Sequence, residues 1–302
     1  MKFSSLRLSP RVRSDALLFL VAIIWGSAFV AQRMAANEIN PFLFNGLRFL
    51  LGGLLLVPMV IGKASITRRG VAYAVLAGCI IYGAAFFQQA GMQTTTAGKA
   101  GFLTGLYVVL IPIFLRVFWK KSISTVSWIA ACSAAFGAYL LSGAAELTFV
   151  YGDFLELLGS ILWALHVIVI SIAIKEMDGL QFAAGQFLVT GVLNVLTAFI
   201  TGNQLQFSPT SIAMVLFTGI FSVGIGYTLQ VVGQRHSPPS DAAVILSMEA
   251  VFAALAGWIF LQETLSIPQI LGAGLIFGSM LLSQVQAFHL QPKKITAEKD
   301  IS

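Results

Sequence analysis

The sequence predicts an all-α integral membrane protein with ten transmembrane helices arranged as two inverted five-helix repeats. Three observations carry this. The 302 residues are 58% hydrophobic and 10% charged, with a mean hydropathy of +0.89, whereas soluble domains are about a quarter charged. Apolar runs of about 20 residues, the length that crosses a bilayer, follow one another with short connections. The two halves of the chain match each other at a nearly constant offset.

The spans are expected at 15–36, 41–62, 70–90, 99–119, 125–143, 153–174, 180–200, 209–232, 241–262 and 267–287. The first follows a basic tail (Lys2, Arg7, Arg11, Arg13). Its run from Ala16 to Ala36 is too long for the apolar core of a removable signal and lacks a small-residue cleavage pattern. Asn40-Pro41, Ser208-Pro209 and Ser266-Ile267-Pro268 place a cap residue and a proline at or near the first turn of the second, eighth and tenth spans. Asp153 and Glu156 have capping-box spacing at the head of the sixth. Pro58 and Pro112 fall inside the second and fourth, where a missing N–H permits kinking. Gly101 with Gly105, and Gly274 with Gly278, allow close helix contact, and the last helix is a candidate homodimer surface. Cys79 and Cys132 lie in apolar runs and are expected as buried thiols, not as a disulfide or metal site.

Basic residues set the orientation. With the N-terminus inside, fifteen of the eighteen Lys and Arg fall in cytoplasmic segments; Arg33 and Lys99 lie on the other side and Arg48 within a span. This bias places both termini in the cytoplasm and explains the net charge of +6 without any nucleic-acid partner.

A shift of 138 residues pairs Asp15 with Asp153, Trp25 with Trp163, Phe49 with Phe187 and Gly53 with Gly191. A shift of 142 pairs Gln88 with Gln230, Gly91 with Gly233 and Ala100 with Ala242; a shift of 141 lays FGAYLLS (136–142) on FGSMLLS (277–283). Residues 1–143 and 144–302 are therefore expected to be two five-helix units. An odd number of spans inverts the second in the membrane, the pattern of secondary transporters with a midplane site.

SPPSDAAVILSMEAVFAALAGWIFLQETLS (237–266), WGSAFVAQRMA (25–35) and TTTAGKAGFLTGLYVVLIPIF (94–114) together resemble the EamA family of the drug/metabolite transporter superfamily, and the likeness runs through both halves. It implies two inverted five-helix repeats and movement of small organic solutes, commonly export of amino acids and other metabolites. Many members have proline after the glutamate matching Glu249; Ala250 stands there and is expected to straighten the ninth helix. No nucleotide-sugar subfamily signature is recognisable. The expected location is a bacterial inner (plasma) membrane.

Glu249 carries the sharpest chemistry. It lies fourteen residues before Glu263, about 21 Å along a helix. If Glu263 marks the solvated outer end, Glu249 is inside the hydrocarbon, where a carboxylate costs about 2.5–3.5 kcal/mol. It either carries protons or binds a substrate amine, or it is pinned structurally. Arg48 is the other charge within a span. It has three readings: an ion pair with Glu249, bidentate capture of a substrate carboxylate, or snorkelling outward. Tyr107, the 142-shift mate of Glu249, and Thr104 three residues before it are expected to face the same cavity, as are Trp25 and Trp163. Gln88, Gln89 and Gln230 either line water or join helices. His166, one turn past Trp163, either titrates or is a core donor.

The function expected is a secondary transporter exporting amino acids or similar metabolites by alternating access, with proton antiport or uncoupled facilitation both compatible. Paired intramembrane aspartates, HExxH, GxSxG and a His/Cys cluster are all missing from the sequence, which speaks against an embedded enzyme. No phosphate-cradling loop, filter-like loop or cofactor signature is present, so ATP and a fixed channel are not expected.

Overall fold

The computed structural model of the chain describes residues 9–63, 66–142, 149–202, 207–262 and 264–289. All regular structure among them is helical: α1 (Pro10–Ala35), α2 (Pro41–Val60), α3 (Arg68–Gly91), α4 (Ala97–Gly105), α5 (Tyr107–Val117), α6 (Thr125–Leu141), α7 (Tyr151–Ala173), α8 (Gly179–Ile200), α9 (Pro209–Phe217), a π-helical stretch (Thr218–Tyr227), α10 (Thr228–Gly233), α11 (Pro239–Leu246), α12 (Met248–Leu261) and α13 (Ile267–His289). Taking α4 with α5, α9 through α10, and α11 with α12 as single runs, nine segments among the described residues are long and apolar enough to cross a membrane. The tenth is α6, whose 17 residues sit at the short end of the spanning range of about 17–25.

The caps explain most starts. Asn40 Oδ1 accepts from the amides of Phe42 and Leu43. Ser208 and Ser211 cap α9 reciprocally. Asp178 caps α8 and pairs with Lys63 at 2.9 Å. Burial pushes the Asp178 carboxyl up, but Lys63 and the two amides outweigh that and hold it below the ordinary carboxylate range. At α7 the expected Asp153/Glu156 box is replaced by another arrangement: Val150 is the cap residue and its N–H donates to Asp153 Oδ2 at 2.9 Å. Glu156 is instead fully buried and bonded to Thr104.

Three spans are interrupted where sequence periodicity shows continuous helix. Leu106 separates α4 from α5 and Ser247 separates α11 from α12, both at φ −60°, ψ −15°. Ser247 Oγ donates to Val244 O at 2.7 Å, a side-chain bond that competes with the helix ladder. So the ninth span is not straightened by Ala250; the break falls three residues earlier. The third interruption is the π-helical stretch, a winding that is rare and recurs at functional sites.

The halves interlock. α2 packs on α8, α6 on α13, α3 on α7 and α8, and α1 on α12. Between α6 and α13 the backbones touch, since a Cβ on Gly137 would meet Gly272 O at 2.7 Å. By contrast Gly274 and Gly278, expected as contact glycines, face open space, as does Gly105. Cys79 and Cys132 are exposed on the apolar outer surface, not buried. They point where lipid replaces protein as the apolar solvent. Glu263 lies outside the described residues.

Candidate functional site

A narrow cavity opens where α1, α2, α3, α4, α5, α7, the π-helical stretch, α10, α11 and α12 converge. Its lining is Trp25, Phe29, Gln32, Arg48, Gln88, Thr104, Tyr107, Trp163, His166, Val167, Ser222, Tyr227, Gln230, Leu246 and Glu249. Only Arg48 and Glu249 among these are charged.

The interruption between α11 and α12 puts Glu249 in the first turn of α12, and that between α4 and α5 makes Tyr107 the first residue of α5. The two meet: Tyr107 Oη donates to Glu249 Oε1 at 2.9 Å. Arg48 takes a different set of partners. Its Nε donates to Asn45 Oδ1 at 3.0 Å, and its guanidinium lies 5.1 and 5.0 Å from the ring centroids of Phe44 and Phe49. It is 1% exposed, so it does not snorkel. No Arg48–Glu249 ion pair occurs among the described residues; the sequence-based depths agree closely enough, but Asn45 and Tyr107 hold the charged groups apart. Arg48 Nη2 and Gln230 Oε1, both on residues that line the cavity, are buried without a protein partner.

An aromatic and amide wall completes the site. Tyr227 packs against both repeat-matched tryptophans, tilted against Trp25 with centroids 4.5 Å apart and stacked on Trp163 at 5.9 Å. Trp25 Nε1 donates to Ser222 O at 3.2 Å, a carbonyl of the π-helical stretch. Trp163 Nε1 donates to Gln88 Oε1 at 2.9 Å, and Gln88 Nε2 to Gln32 Oε1 at 3.1 Å. His166 shares a 3.0 Å bond with Gln186 Oε1. Gln89, proposed with Gln88 from sequence, does not line the cavity. Neighbouring residues on a helix differ by about 100°, and Gln89 Nε2 turns to Gln32 O at 3.1 Å as a bond between α3 and α1.

Gln32, Phe29, Val167, Ser222, Tyr227 and Leu246 were not singled out from sequence. Phe29 and Gln32 were findable, because Trp25, Phe29 and Gln32 follow the i, i+4, i+7 stripe of one helix face. Tyr227 lies three residues before Gln230 on the same argument, but the π winding between Thr218 and Tyr227 hides Ser222 from any fixed period.

Both ends of the bundle carry ion pairs. At the face where α1 begins, Arg11 bridges Asp15 (2.7 Å) and Asp241 (2.8 Å). At the opposite face Lys99 pairs with Asp153, which also accepts from Thr95 Oγ1 at 2.7 Å. Asp153 is fully buried, so removing its cation alone is costly. Lys99→Met is expected to lower stability by less than the ~3–5 kcal/mol of a fully buried pair, because Asp153 sits at the bundle end and keeps Thr95 Oγ1 and Val150 N–H as donors. Asp153→Asn added to it should recover part of that loss; thermal unfolding in detergent checks the cycle.

A polytopic helix architecture around a central cavity lined by aromatic, amide and two charged side chains is the form of a membrane transport protein. The comparisons with known proteins agree. The EamA-like transporter family matches residues 12–143 and again 150–284, and the chain belongs to that family. An uncharacterized transporter of Archaeoglobus fulgidus is 33% identical over 277 residues, covering 90% of this chain and 86% of that protein. The uncharacterized inner membrane transporter YedA of Escherichia coli is 25% identical, covering 93% of each. A crystal structure with a TM-score of 0.74 and 19% identity covers 92% of this chain and 99% of its own, which speaks to the fold. The protein is a transporter embedded in a membrane, not an enzyme.

Proposed function

We propose that this protein is a secondary transporter that exports amino acids or closely similar zwitterionic metabolites across a bacterial inner membrane, by alternating access and coupled to protons. Both termini lie in the cytoplasm, and residues 1–143 and 144–302 form two units of opposite orientation. One observation supports this above the rest: a single carboxylate, Glu249, and a single guanidinium, Arg48, line one aromatic cavity without pairing to each other. A zwitterion complements that arrangement, with its ammonium at Glu249 and its carboxylate at the free Nη2 of Arg48. The aromatic wall of Trp25, Trp163 and Tyr227 adds apolar surface and ring faces for a cation. The inverted arrangement is supported by the matched breaks at Leu106 and Ser247 and by α2 packing on α8 and α6 on α13, its offset partners.

The reading is tested by radiolabelled counterflow in proteoliposomes with amino acids, their decarboxylated amines and their deaminated acids, with and without a pH gradient. Zwitterions should exchange fastest. Arg48→Lys should lose zwitterions and acids while amines are least affected, because an ammonium cannot reproduce the bidentate fork. Equal exchange of all three classes would defeat the proposal, and indifference to the gradient would replace coupling by facilitation. Impermeant labelling of a cysteine placed in the N-terminal tail should occur only after the membrane is opened.

A further inference from the structure

Glu156 is a second carboxylate within a span, used neither by the cavity nor by the terminal ion pairs. It is 0% exposed, Thr104 Oγ1 donates to its Oε2 at 2.9 Å, and its Oε1 has no protein partner. Thr104 also lines the central cavity. A Cβ on Gly91 would lie 2.9 Å from Glu156 Oε1, so the backbone of α3 closes the far side.

The groups around it form a descending series. Counting from Tyr151, the first residue of α7, Asp153 lies about 3 Å and Glu156 about 8 Å along the helix. Counting from Thr96, the cap of α4, Thr104 lies about 12 Å and Tyr107 about 16 Å in. Tyr107 then reaches Glu249. The titratable group against Glu156 is Asp153, one turn outward on α7, with Lys99 of α4 bound to it, while Tyr107 follows three residues after Thr104 and bonds Glu249. α3 presents only Gly91. With no cation paired to Glu156 among the described residues, a charge there is expensive, and a proton is the counter-ion needing the least space.

The other mouth lacks this step. The offsets of 138 and 142 pair Asp153 with Asp15 and Lys99 with Asp241, so each mouth has its ion pair. The same offsets put Leu18 at the position of Glu156 and Leu246 at that of Thr104, and both leucines are fully buried. At these two matched positions one mouth therefore carries oxygens and the other carries hydrocarbon.

We propose that Glu156 is a proton-binding site linking the central cavity to the mouth guarded by Lys99 and Asp153, and that it exchanges protons with Glu249 by way of Thr104 and Tyr107. Each transfer makes one O–H bond and breaks another, with water as donor and acceptor at the surface. The inference deepens the proton-coupled reading above and rests on it for naming that mouth the outer one. Protons then enter from outside, the direction that drives export.

Infrared difference spectra between neutral and alkaline pH, on the full chain in lipid without any solute, test the site directly. Wild type should show carboxylic-acid C=O intensity of which one component is lost in Glu156→Gln and returns, displaced, in Glu156→Asp. Thr104→Val should shift that component by removing its hydrogen bond. In proteoliposomes exchanging a radiolabelled amino-acid mixture, Glu156→Gln should make the rate with an imposed pH gradient equal to the rate without one. An infrared difference identical to wild type, or a wild-type response to the gradient, would overturn the proposal. If no amino acid in the mixture exchanges, the function reading fails while the infrared result still decides Glu156.

Discussion

Glu249→Gln is expected to abolish exchange of any solute bearing an ammonium group while leaving the protein folded. Glutamine keeps the shape and the oxygen that accepts from Tyr107 Oη at 2.9 Å, so the α5–α12 contact survives. What disappears is the charge. A hydrogen bond to a charged group contributes about 1.5–3 kcal/mol, so affinity for an ammonium should fall roughly ten- to hundredfold. Counterflow of amino acids should drop towards that of empty vesicles, with thermal unfolding close to wild type. Undiminished counterflow with normal folding would remove Glu249 from the site.

Gly26→Ala should destabilise the fold measurably although it adds only one methyl group. A Cβ on Gly26 would stand 2.8 Å from both Ala253 N and Glu249 O, and closer still to Phe252 Cβ. Two of these are backbone atoms of α12 and cannot rotate away. Overpacking of this kind costs about 1–3 kcal/mol, and here relief means moving α1 off α12, the helix that holds Glu249. Thermal unfolding in detergent should show the loss, accompanied by slower transport. Gly98→Ala is the control: a Cβ there meets nothing within 4 Å, so both properties should stay near wild type.

Gly26 shows where reading by sequence stopped. It sits next to Trp25 in a stretch that carries the family resemblance, yet nothing in its neighbours says that Glu249 lies against it. Contacts between residues more than 200 positions apart depend on how helices cross, and periodicity reports only which face is apolar. Glu156 failed for a related reason. Its spacing from Asp153 matched a capping box, but which residue caps is decided by where the helix starts, and Val150 takes that place. Arg48 and Glu249 line the same cavity, as the fixed rise per residue led one to expect from their places in their spans. Their partners were not legible, since Asn45 and Tyr107 compete for them from short range.

The sequence by itself determined the solvent, the order of the spans and the family, and it singled out Glu249 and Arg48 among the charges within spans. Those follow from hydrophobicity over about 20 residues and from the cost of charge in hydrocarbon, which are local quantities. The tertiary structure decided the breaks at Leu106 and Ser247 that bring Tyr107 to Glu249, the π winding that aims Ser222 and Tyr227, and the burial of Glu156 beneath one mouth only. The breaks include a local bond, Ser247 Oγ to Val244 O, but what they bring together is a contact between helices remote in the chain. Such contacts arise only after the apolar faces have chosen one another.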